Sequence, residues 1–136
     1  MTQYWLMKSE PDEYGWDDLT RDGETKWSGV RNFAAAKNMR AMEKGDLAFF
    51  YHSRTGLAVV GIMEITRSHY PDPSADNDKF VLVDVRPVKA LVRPVPLQEI
   101  KANPKLSDMA LVKQSRLSVS PVSAAQWVEI IAMAEK

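Results

Sequence analysis

Trp27-Ser28-Gly29-Val30-Arg31-Asn32 places a flat aromatic, a hydroxyl, a glycine, a guanidinium and an amide side by side. The stretch is neither an apolar stripe nor a turn dipeptide nor a run of charge. Its groups supply a face to stack on, directional hydrogen bonds and a point where backbone can approach a ligand closely. Those are the requirements for holding a planar, polar heterocycle such as a nucleobase. The competing reading is structural: an indole half-buried beside a turn, with Asn32 capping the helix that follows.

Two further segments have the same form. Lys8-Ser9-Glu10-Pro11 ends an apolar strand in three polar groups, and Tyr51-His52-Ser53-Arg54 ends another. Together with the Trp27 stretch they could line one cavity with apolar walls and a few aimed polar groups. Alternatively, they are three separate strand ends at the surface. His52 and Ser53 as base and nucleophile are disfavoured, because neighbouring strand residues point to opposite faces and would not meet. Metal binding has little support. His52 and His69 are far apart, and the acidic loop of Asp72, Asp76 and Asp78 lacks the central glycine of an EF-hand and reads as solvated. No glycine loop suited to phosphate is present, and there is no cysteine for a disulfide, a thiolate site or a nucleophile. No cofactor is expected.

Charge narrows the partner. Eighteen basic residues balance eighteen acidic ones. A protein that coats a nucleic-acid backbone usually carries a basic excess. A neutral chain fits a local site that reads one base. Arg31, Lys37 and Arg40 could form a modest phosphate-contacting strip beside the Trp27 pocket, with Lys44 one turn further on. A solvated helix face explains the same lysines and arginine, since Glu24 and Glu43 lie nearby in sequence.

The elements that must position these groups are legible from patterning. Tyr4 to Lys8 reads as a strand, Trp16 to Leu19 as a helical turn closed by Asp22-Gly23, and Asn32 to Met42 as a helix with Phe33, Ala36 and Met39 on its apolar face. Leu47 to Tyr51 reads as a buried strand. Leu57 to Thr66 is β-rich, with Gly56 and Gly61 marking a hairpin and a bulge. A polar loop spans Tyr70 to Asp78. Phe80 to Val85 and Val88 to Val92 continue as strand, with Pro87 at an edge or break. Pro96 opens a short helix, Leu117 to Val122 alternates as a strand, and Ser123 caps an amphipathic helix bearing Trp127, Ile130, Ile131 and Met133. With 136 residues, 45% of them hydrophobic, the expectation is one α+β domain spanning 1–136. Residues Met1 to Glu10 lack the pattern of a secretory signal and no apolar run suits a membrane span, so a cytoplasmic protein without membrane contact is expected.

With these pieces in order, the chain resembles the EVE domain family, small proteins of the PUA-like fold. The resemblance rests on Tyr4 to Pro11, Trp27 to Asn32, Gly45 to Ser53, Tyr70-Pro71-Asp72 and Arg116 to Val122. It implies a β-barrel-like mixed sheet decorated by helices, related to YTH domains that hold N6-methyladenine and to SRA-type readers of modified cytosine. It further implies a non-catalytic module, expected as a monomer, that binds RNA or DNA carrying a modified base. Lys8, Ser9 and Glu10 match the pocket turn, Trp27 the stacking aromatic and Ser28 its hydrogen-bonding neighbour. Val30 belongs to the same motif, and Asn32, Tyr51, His52 and Ser53 match its remaining positions. Many relatives carry Asp where this chain has Ser28, which can donate as well as accept. Two alternatives stand beside this reading: an enzyme acting on a nucleotide-like ligand with His52 as acid or base, and a domain that senses a small metabolite.

Overall fold

Leu47–His52 (β3) is apolar at consecutive positions, and its four inner residues are buried, as a strand covered on both faces requires. In the computed structural model, which describes residues 2–136, this strand lies near the middle of a six-stranded sheet. Numbered in chain order, the other strands are β1 (Tyr4–Ser9), β2 (Thr25–Trp27), β4 (Ala58–Pro71), β5 (Val81–Pro96) and β6 (Val119–Val122). The sheet order is β2-β5-β4-β3-β1-β6. Its one parallel pair is β1 with β3, and every other pairing is antiparallel. The sheet is therefore mixed, and it stays open, because β6 and β2 form its two edges.

Side-chain alternation divides the core into two layers. Trp5, Met7, Ala48 and Phe50 enter one layer, which α2 (Trp16–Asp22) and α3 (Phe33–Ala41) cover through Leu19, Ala35 and Met39. Leu6, Phe49 and Tyr51 enter the other, covered by α6 (Ala124–Ala134) through Trp127, Ile130 and Met133. The remaining helices are the short α1 (Pro11–Tyr14), α4 (Leu97–Ala102) and α5 (Ala110–Lys113), of which α4 and α5 add Ile100 and Leu111 to the second layer. Asn32 caps α3 by accepting from the Ala35 N–H at 2.9 Å. Ser123 caps α6 in a reciprocal box with Gln126.

Several expectations change in contact with the fold. The β3–β4 hairpin turns at Gly56 (φ 59°), and pairing slips between Val59 and Gly61, so the hairpin and its bulge are present. Gly61 itself lies inside β4, because the Trp16 ring occupies its side-chain space: a Cβ there would stand 2.5 Å from two ring carbons. Pro87 sits where β5 has no outer partner, since β2 reaches only Val83 to Val85. Phe33 does not face the core. It is 62% exposed at the start of α3 and stacks on Phe80, while Ala35 takes the buried position.

The acidic loop holds the largest correction. Asp72 is not solvated but 3% exposed, and its carboxylate accepts four hydrogen bonds. Ser74 donates twice, from N–H at 2.8 Å and Oγ at 2.6 Å, the Gly29 N–H donates at 2.9 Å, and the Arg31 guanidinium at 3.2 Å. Burial alone would raise the pKa of this group. The donors, led by Ser74 and Gly29, outweigh burial and bring it down to about 2. A second buried carboxylate, Asp46, ties down the start of β3 by accepting from Trp5 Nε1 at 3.0 Å and the Gln3 and Glu43 N–H groups.

Two outcomes are expected from this architecture. Asp72→Asn should cost about 1–3 kcal/mol at neutral pH, since a buried acceptor for several donors is lost. Because the native carboxylate has a depressed pKa, its contribution is complete above the ordinary carboxylate range and disappears as pH falls towards 2. Thermal melts of wild type and variant should therefore converge between about pH 4 and pH 2. Gly61→Ala should displace the Trp16 ring, at about 1–3 kcal/mol. A shifted Trp16 indole signal in the NMR spectrum together with a lower melting temperature would establish it.

Candidate functional site

Where β1 and β2 end, the chain leaves a cavity of about 810 Å³. The end of β1 contributes Lys8, Ser9 and Glu10, and α1 contributes Glu13 and Tyr14. β2 contributes Trp27, and the loop beyond it Ser28 to Asn32. Ser53 joins them from the end of β3, its N–H donating to the Ser9 carbonyl at 2.9 Å. Ser115, Arg116 and Ser118 close the wall, brought in by β6 pairing beside β1 and by the Lys8 N–H donating to the Ser118 carbonyl at 2.9 Å. Three of the segments singled out by sequence thus meet, although the third reaches the cavity only through Ser53.

Tyr51 and His52 do not line it: strand parity turns Tyr51 away, and a hydrogen bond from the Trp16 backbone holds His52 elsewhere. Tyr51 points into the layer beneath α6, 3% exposed, with the Lys8 ammonium 5.8 Å above its ring. Burial pushes its phenol up to about 12. His52 falls on the Phe50 side, but its Nε2 accepts from the Trp16 N–H at 3.1 Å and its ring meets Phe50 edge-on. It borders a separate depression beside Trp16 and Val60. Burial lowers its pKa against the opposing pull of Asp17, which favours a neutral imidazole that accepts from backbone.

Inside the cavity, Trp27 is set by Phe50. The two rings meet edge to face, 5.4 Å apart at 81°, and the indole is 7% exposed. Gly29 follows at φ 84°, a conformation that favours glycine, and its N–H is the one that Asp72 holds. Ser9 Oγ donates to the Tyr14 carbonyl at 2.6 Å, Glu10 pairs with Arg54 at 3.1 Å, and Lys8 Nζ donates to the Ser115 carbonyl at 2.8 Å. Half-burial of that lysine lowers its pKa. Burial, with the Asp22 carboxylate on its hydroxyl, raises Tyr14 despite a hydrogen bond from Thr25 that lowers it.

The lining is positive although the chain is neutral. Lys8, Lys26, Arg31 and Arg116 stand against Glu10 and Glu13. Of the three expected phosphate contacts, Arg31 is at the cavity, its guanidinium shared among Asp72, Ser74 and the Val30 carbonyl. Lys37 is exposed on α3 and Arg40 donates to the Lys79 carbonyl; neither lines the cavity. Lys26 and Arg116 escaped sequence reasoning. Lys26 could have been found as the neighbour of Trp27, whereas Arg116 arrives only through the β1–β6 pairing. Among the described residues, no group of three His, Asp or Glu side chains is placed to hold a metal, and no helix is long and apolar enough to cross a membrane.

Known proteins share this arrangement of elements. A structure from Agrobacterium tumefaciens is 46% identical with a TM-score of 0.95, covering 98% of this chain and 93% of that one. Human thymocyte nuclear protein 1 is 32% identical across 100% of this chain and 76% of its own length. A crystal structure of the human THYN1 protein in complex with 5-methylcytosine containing DNA is 34% identical, with a TM-score of 0.90 and 99% of each chain covered. The YTH domain of Zygosaccharomyces rouxii MRB1, at 18% identity and a TM-score of 0.63, shares the fold. The EVE domain family model matches residues 3–133, and the chain belongs to the EVE domain family.

Proposed function

We propose that the protein binds a nucleic-acid strand by taking one methylated base, displaced from its stack, into the Trp27 cavity. The observation that carries this reading is the convergence of an indole, several hydrogen-bonding groups and a positive lining on a single cavity with room for a base and its sugar. The base stacks on Trp27. Its polar edge meets Ser28, Asn32 and Ser9, with Glu10 positioned to accept from an exocyclic amine. A methyl group fills apolar space beside Val30, worth about 1 kcal/mol. Arg31, Lys26 and Arg116 stand where phosphates would pass, and Lys37 and Arg40 lie further along α3.

Ser28 is exposed at the cavity, free to adjust its hydroxyl to a donor or an acceptor. The relative seen with 5-methylcytosine containing DNA makes that base the first ligand to test. A binding role, rather than turnover through His52, is supported by the position of its imidazole outside the cavity, committed to the Trp16 backbone.

Trp27→Ala should weaken binding of a 5-methylcytosine oligonucleotide about 10-fold or more, the scale of one lost base–aromatic stack. Calorimetry on DNA and RNA versions, with and without the methyl group, measures it, and a thermal melt verifies that the variant is folded. Equal affinity of wild type and variant for every oligonucleotide would overturn the role of Trp27. His52→Ala should lower stability by about 1 kcal/mol through the lost Trp16 hydrogen bond while leaving oligonucleotide affinity within twofold. A collapse of affinity in a folded His52→Ala protein would instead favour the enzyme or metabolite reading.

A further inference from the structure

Phe33 is the one aromatic among the strongly exposed large apolar side chains of the described residues. A lone exposed apolar side chain is ordinary on a protein surface, and what distinguishes this one is where it stands and what holds it. Phe33 is also held rather than loose. Its ring stacks on the buried Phe80 at 5.1 Å and 15°, on the first turn of a capped helix. Two cations attend the pair: the Lys79 ammonium lies 5.8 Å over Phe33 and the Arg31 guanidinium 5.5 Å over Phe80. Arg31 and Asn32, its chain neighbours, both line the Trp27 cavity. Phe33 therefore begins where the cavity ends, about two residue spacings or ~7 Å from Arg31 along the chain.

We infer that Phe33 is a second stacking surface, which receives the base adjacent in the same strand to the one held in the Trp27 cavity. The inference rests on the proposed reading of that cavity and extends it from one base to two. A rigid aromatic face edged by cations is how sequence-tolerant binders hold successive bases: the ring meets the heterocycle and the charges meet the phosphates. An apolar protein partner fits less well, because lysine is depleted at the centre of such interfaces. The Lys79 ammonium stands 5.8 Å from the centre of this ring.

The test compares two probes that differ only in reach. 5-Methyl-2′-deoxycytidine occupies the cavity alone, while a trinucleotide with 5-methylcytosine at its centre extends beyond it. NMR titration of Phe33→Ala should show nucleoside affinity equal to wild type and trinucleotide affinity about 10-fold lower, with Phe33→Trp restoring it. The ring is largely exposed, so losing its stack on Phe80 should lower the melting temperature of the variant by only a few degrees and leave it folded. Trinucleotide affinity within twofold of wild type would overturn the second surface. Parallel losses for both probes would also overturn it, by showing that Phe33 acts through the shape of the cavity. If wild type and Trp27→Ala bind the nucleoside equally, the cavity reading itself fails, an outcome separate from either result at Phe33.

Discussion

One phenyl ring organises the working half of this molecule. Phe50 is fully buried, and Trp16, Trp27 and His52 each meet it edge to face at 5.4–5.6 Å. Edge-to-face contacts have a direction, so each ring is oriented as well as packed. Trp27 is thereby set against the cavity from beneath, while the Trp16 and His52 pair closes the neighbouring side of the layer. Phe50 can hold this place because β3 is sandwiched between β1 and β4 and has no edge to fray. A binding aromatic on a loop would need to be ordered by its ligand. In the proposed role the Trp27 ring is ordered before any ligand arrives, which would reduce the entropy lost on binding.

The second restraint comes from charge. The cavity loop runs from Ser28 to Asn32, and the Asp72 carboxylate fastens it to the loop between β4 and β5. A buried carboxylate is stable only when its oxygens are satisfied. Asp72 meets that condition with donors from both loops, so neither can adopt a new shape alone. Arg31 is held by the same group and keeps a substantial exposed surface towards solvent. The arrangement presents a cation whose position is already decided, instead of a flexible side chain that must be fixed on binding.

What could be read in the sequence was local. The Trp27 to Asn32 stretch carries its chemistry in consecutive residues, so its character survives ignorance of the fold. The caps at Asn32 and Ser123 and the bulge ahead of Gly61 were legible for the same reason. Properties that depend on a partner far along the chain were not. Tyr51 and His52 looked like companions of Ser53, but the strand's alternation sends Tyr51 to the opposite layer, and His52 is captured by the backbone of Trp16. Asp72 sits among aspartates that resemble a solvated loop, and only the approach of Gly29 buries it. Phe33 fitted a three-residue apolar spacing, yet the first turn of α3 lies beyond the core it was expected to face.

The route by which the cavity wall is completed has a consequence for the life of the protein. Ser115, Arg116 and Ser118 lie just ahead of β6, the last strand to be made, and they settle against the first strand, with Lys8 bridging 107 positions to Ser115. Contacts of that separation form slowly, after nearer pairings have reduced the entropy of closing so long a loop. A partly synthesised chain can thus assemble β3, β4 and the Phe50 cluster while the cavity still lacks a side. The cavity acquires its last wall only when the two extremities of the fold have found each other.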